Sequence, residues 1–90
     1  MNHPRNIVGP QIRKLRESKD LTQPMLVAKC NLMGWDISRE TLARIESQIR
    51  RVADAELVCL ARALKVDIET LLPSKEKLGR LVAGFLKAEK

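Results

Sequence analysis

Three times in 90 residues, a hydrophobic residue, a capping residue and a second hydrophobic residue four positions past the cap recur in the same order. They are Leu21-Thr22 with Leu26, Ile37-Ser38 with Leu42, and Val66-Asp67 with Leu71. A cap side chain accepts an orphaned N–H of the first helical turn, and the flanking hydrophobic pair staples the entering chain onto the helix. Helix starts marked this densely constrain the chain to an all-α fold. Asp54 is a further candidate cap, for a helix whose Leu57, Leu60 and Leu64 fall on one face. Gly9-Pro10 opens the first helix, with proline at the first helical position, where its missing N–H leaves nothing unsatisfied. Val8, Ile12 and Leu15 line one edge of that helix, which is expected to end between Ser18 and Asp20.

Gly34 suits the left-handed conformation that closes a helix, so the second helix is expected to run to Leu32 or Met33 before a loop reaches Ser38. Pro73 ends the fifth helix, and Ser74 can cap a last one. The connections are short, so the helices fold back into a compact bundle. The expected organisation is a flexible arm over residues 1–8, a helical domain over 9–73, and an amphipathic helix over 74–90. That last helix carries Leu78, Leu81, Val82, Phe85 and Leu86, an i, i+3, i+4, i+7, i+8 stripe. Three uses are open to it: packing on its own domain, a two-fold dimer contact, or another partner. A membrane suits it least, given one aromatic residue and a short apolar face.

Charge is unevenly spread. Seventeen Lys and Arg against eleven Asp and Glu give a net charge of +6. Residues 1–53 hold ten basic and five acidic side chains, residues 54–74 two and four, and residues 75–90 five and two. The positive field thus belongs to the first three helices and the tail, and a polyanion is the expected partner. Aromatics are 2% of the chain, too few for the stacking platforms that read single strands or RNA. Cys30 and Cys59 stand far apart and form no CxxC, which argues against zinc and for small buried hydrophobes. His3, the one histidine, has no catalytic company. No cofactor signature is visible, enzyme chemistry is not expected, and no effector pocket is identified. With no apolar run long enough for a membrane span and no signal-peptide core, the chain is expected to be cytoplasmic.

From Leu21 to Ile49 the chain reads Leu-Thr-Gln, an apolar helix face, a Gly-containing turn, and Ser-Arg-Glu-Thr-Leu-Ala-Arg-Ile-Glu-Ser. With Ala61-Arg62-Ala63-Leu64-Lys65-Val66 and Ile68-Glu69-Thr70-Leu71-Leu72, this resembles the phage-repressor-like (XRE/Cro-type) helix-turn-helix family over residues 9–72. The resemblance implies a compact five-helix DNA-binding domain, here with an added C-terminal amphipathic helix. The connection between the second and third helices is longer than the family's tight turn. Trp35, within it, is read as a packing anchor.

The third helix, residues 38–47, fits the major groove of B-DNA. Leu42 and Ile45 point inward, placing Glu40 and Arg44 on the opposite face, with Ala43 and Ser47 beside them and Arg39 and Thr41 flanking the first turn. Positions that contact bases in the family correspond to Arg39, Glu40 and Arg44, with Thr41 close by. Arg pairs with guanine and Glu with cytosine, so a G·C-containing half-site is expected. The plainer alternative is an exposed Glu40–Arg44 pair one helical turn apart. Backbone contacts are expected from Ser38, Ser47, Arg50 and Arg51, and the resemblance adds Gln23 at the start of the second helix. It also implies a partly buried ion pair between Arg16 and Glu46. The expected function is a sequence-specific regulator of transcription, a repressor, on a palindromic double-stranded operator and as a possible homodimer. The competing reading is a protein-interaction module without base readout.

Overall fold

A computed structural model describes residues 4–88. It contains α1 (Gly9–Ser18), α2 (Gln23–Leu32), α3 (Arg39–Glu46), α4 (Asp54–Leu64), a 3-10 helix (Ile68–Leu71) and α5 (Lys75–Ala88). The described residues contain no strand, and the all-α expectation holds.

Two starts form as the sequence predicts. The Thr22 hydroxyl accepts the Met25 N–H at 3.2 Å, and the Ser38 hydroxyl accepts the Thr41 N–H at 3.1 Å. Leu26 and Leu42, the inner halves of the two staples, are fully buried. At α5, Ser74 Oγ accepts the Lys77 N–H.

Three starts differ in detail. Gly9 and not Pro10 takes the first position of α1, and Asn6 Oδ1 accepts the Val8 and Gly9 N–H groups ahead of it. Ala53 and not Asp54 stands at the cap of α4, whose free N–H is met by Glu56 Oε1 at 2.9 Å. The fifth helix is a single 3-10 turn, with no side-chain cap from Asp67. Pro73 holds Leu72 extended, and Asp67 is itself extended, which leaves only four residues between them. Leu71 is nonetheless fully buried, and Val66 packs on the core.

α1 packs on α3, α4 and the 3-10 helix, while α2 packs on α3 and α4. Ile12, Leu26, Leu42, Ile45, Leu60, Leu64 and Leu71 are the large aliphatics of the shared core, each contributing about 1.5–3 kcal/mol by burial. Cys30 is buried among them and Cys59 half-buried. Burial raises the Cys30 thiol to about 11, so it stays protonated. The long α2–α3 connection is pinned by Asn31, whose Nδ2 donates to Trp35 O at 2.9 Å and Ile37 O at 3.2 Å. Trp35 packs against the core from this loop, and Ile37 is buried.

The tail departs from the bundle. α5 has no buried residue; Val82, Phe85 and Leu86 are 48%, 62% and 58% exposed. Leu78 and Leu81, nearer the body, are half-buried, so the outer part of the stripe is what the fold leaves uncovered. The molecule measures 42 × 22 × 20 Å, long in one direction because α5 leaves the body. Of the arm expected over residues 1–8, residues 1–3, including His3, lie outside the described residues, while Arg5 and Asn6 are hydrogen-bonded to the exit of α3.

Candidate nucleic-acid interface

The two sides of α3 divide sharply. Leu42, Ile45 and Glu46 are buried, while Arg39, Glu40, Arg44 and Ser47 are exposed and Thr41 and Ala43 lie between. Among the described residues Arg39, Glu40 and Arg44 make no ion pair with any acidic or basic neighbour. The Glu40–Arg44 pair that would have explained these charges within the helix is thus not formed. Ser38 uses its hydroxyl twice in the first turn, accepting from the Thr41 N–H and donating to Thr41 Oγ1 at 3.0 Å. That closure sets the side chains of the opening turn and keeps Thr41 beside Arg39 and Glu40.

Behind this surface, Arg16 of α1 and Glu46 of α3 form the expected pair. Nε donates to Oε2 at 2.7 Å and Nη2 to Oε1 at 3.0 Å, and each residue is only 8% exposed. Arg16 Nη1 also donates to Leu21 O at 2.8 Å, in the corner between α1 and α2. The hydrogen bond to Glu46 holds the Arg16 guanidinium even more firmly protonated than usual. Glu46 Oε1 further accepts from Gln23 Nε2 at 3.0 Å. Gln23, at the first position of α2, is therefore oriented by the same carboxylate. Together with Arg13, Arg16, Ala43, Glu46 and Ser47 it lines a cleft of about 290 Å³ beside the exposed face of α3. Arg13 was not singled out from the sequence. Only folding puts it in this cleft, and its sole partner among the described residues is an exposed contact with Glu17 at 3.4 Å.

At the exit of α3 the basic pair splits. Arg51 is exposed, but Arg50 turns inward: Nη1 and Nη2 meet Glu56 Oε1 and Oε2 at 2.9 and 3.0 Å, and Nη1 also donates to Arg51 O. The hydrogen bonds from Arg50 hold the Glu56 carboxyl below its usual range and raise the Arg50 guanidinium in turn. Three Arg50 N–H groups are thus engaged in fixing this loop to the start of α4. The sequence hid this because the partner lies six residues away across a turn.

A family model described as helix-turn-helix matches residues 12–71, a segment that runs from α1 to the end of the 3-10 helix. No curated protein and no solved structure matches the chain.

Proposed function

With two thirds of its length matching that model, the chain belongs to the phage-repressor-like helix-turn-helix family of DNA-binding domains, and on that premise we propose that it is a sequence-specific regulator of transcription. One observation carries the reading. Arg39, Glu40 and Arg44 stand exposed and, among the described residues, without an ion pair, on a helix whose other side is locked into the core by Leu42, Ile45 and Glu46. Unpaired charges of both signs on one rigid face suit the donor and acceptor edges of base pairs. Arg39 and Arg44 read guanine and Glu40 cytosine N4, with Thr41 beside them, each good contact discriminating by about 1–3 kcal/mol. Gln23, Ser38, Ser47 and Arg51 hold the flanking phosphates, joined by Arg13 from the cleft beside Gln23. Arg50 supports that edge without touching DNA.

A lone domain of this size reads few base pairs, so two copies are proposed to act together. The stripe Leu78, Leu81, Val82, Phe85 and Leu86, exposed at its last three residues, supplies the contact, and the operator is a palindrome with half-site centres about 34 Å apart. Occupying a promoter is sufficient for repression. Among the described residues no helix is long and apolar enough to cross a membrane.

Selection from a random duplex pool at about 0.15 M salt, where counterion release favours non-specific binding less, tests this reading. Enrichment of a G·C-containing palindrome supports it. Weak, salt-sensitive retention of every sequence would instead point to a protein-interaction module.

A further inference from the structure

The segment ahead of α1 is fastened to the exit of α3 by a dense set of bonds that the reading above does not use. The Arg5 N–H donates to Gln48 O at 2.8 Å, and Gln48 Nε2 returns a bond to Asn6 O at 2.9 Å. Asn6 Nδ2 donates to Ile45 O at 3.1 Å and Arg50 O at 2.8 Å, while Asn6 Oδ1 accepts from the Val8 and Gly9 N–H groups. Gly9 lies so close that a Cβ there would overlap the carbonyl oxygens of Ile45 and Glu46. Val8 is buried and Ile7 packs on the core. Together these contacts form a strap.

The strap places an arginine. Arg5 is held by its own main chain against Gln48, one residue past Ser47 and three before Arg51, and its side chain is exposed. Two carboxylates of this region are committed elsewhere: Glu46 accepts from Arg16 and Gln23, and Glu56 from Arg50. Among the described residues neither Arg5 nor Arg51 forms an ion pair, and the main chain of Arg5 is bonded three residues ahead of Arg51. Like charges brought to the same edge by specific bonds disfavour the free protein and suit a polyanion. Because the strap is ordered in advance, binding through Arg5 requires no ordering of the backbone that carries it.

We propose that Arg5 is a DNA-backbone contact and that the strap forms part of the interface, with Arg5 and Arg51 holding the phosphates that border the groove entered by α3. The inference rests on the DNA-binding reading and adds a residue to it.

Phosphate contacts are blind to sequence, so the probe is a mixed-sequence duplex titrated with the full chain at several salt concentrations. The proteins compared are the parent, Arg5→Gln, and Arg62→Gln, which removes a charge that is also exposed, from α4. Each phosphate contact contributes about 0.9 to the slope of log affinity against log salt. Arg5→Gln is expected to lower that slope by about one, with an unchanged melting temperature, while Arg62→Gln leaves it alone. A slope unmoved by Arg5→Gln while the parent binds steeply would overturn this inference and leave the DNA reading standing. Equal losses in both variants would also overturn it, by reducing Arg5 to net charge. A parent that binds no duplex at all would overturn the DNA reading and Arg5's role with it.

Discussion

Arg16 and Glu46 meet through two parallel hydrogen bonds across 30 residues of sequence, joining the last turn of α1 to the last turn of α3. The same carboxylate orients Gln23, and the same guanidinium holds the Leu21 carbonyl. One buried pair thus sets the positions of α1, α2 and α3 relative to one another, and with them the spacing between the proposed phosphate and base contacts. Its value lies in geometry more than in net stability, since two desolvated charges offset much of their own attraction.

Removing one partner strands the other. Glu46→Gln is expected to destabilise the fold by on the order of 3 kcal/mol, a large part of the stability of a domain this size. Urea unfolding measures it. An unchanged midpoint would mean that the pair is not holding the three helices together.

The Arg50–Glu56 pair makes stability depend on acid. Folding lowers the Glu56 carboxyl below its ordinary value of 4.5. An acid whose folded value is depressed adds stability that is fully present above the unfolded value and lost as pH falls through the folded one. Glu56→Gln is therefore expected to destabilise at neutral pH by about 1 kcal/mol, and to differ little from the parent once pH falls well below 4.5. Thermal melts of both proteins across that range test the convergence. A difference independent of pH would assign the loss to packing.

Four helix ends share one device. The residues after α1, α2, α3 and α4 that turn left-handed are Asp20, Gly34, Gln48 and Lys65. In each case the next residue's N–H reaches back to close the final turn, as Leu21 does to Arg16 O and Val66 to Ala61 O. Only one of the four is glycine. A side chain in this conformation costs roughly 1–2 kcal/mol, against about 0.5–1 for the extra chain freedom of glycine. Lys65 is exposed and its φ is 57°, so Lys65→Gly is expected to stabilise by about 0.5–1 kcal/mol. A lowered melting temperature would show that the Lys65 side chain contributes more than the strain it causes. The same change at Gln48 would lose the bond to Asn6 O.

Truncation after Ser74 separates the tail from the body. Because α5 buries no residue, the shortened chain is expected to keep its fold by circular dichroism while sedimenting as a monomer where the parent sediments as a dimer. Equal sedimentation of the two would remove α5 from the association.

What was legible in the sequence was local. Thr22 with Leu26 and Ser38 with Leu42 declare helix starts through chemistry confined to five residues, and the exposed face of α3 follows from the burial of Leu42 and Ile45. The Arg16–Glu46 pair was anticipated through the family resemblance. Asp20, Gln48 and Lys65 gave no sign of their left-handed backbone, because none is glycine and the main-chain bond that closes each helix end carries no side-chain signature. Arg50 read as a backbone contact like Arg51, with no hint in the sequence that folding would set Glu56 against it. Asn6 makes its contacts 39 and 44 residues away, beyond any spacing rule. The 3-10 turn replaced a helix because Pro73 left too little chain for one.

The central claim is that the exposed side of α3 reads base pairs. Its most direct test is the ratio of affinity for the selected duplex over a mixed-sequence duplex, measured for the parent, Arg39→Ala and Arg44→Ala at one salt concentration. Each variant is expected to lose about 1–3 kcal/mol from that ratio, relaxing preference at its own G·C pair while non-specific affinity falls far less. An unchanged ratio in both variants, with folding intact, would contradict base readout by α3.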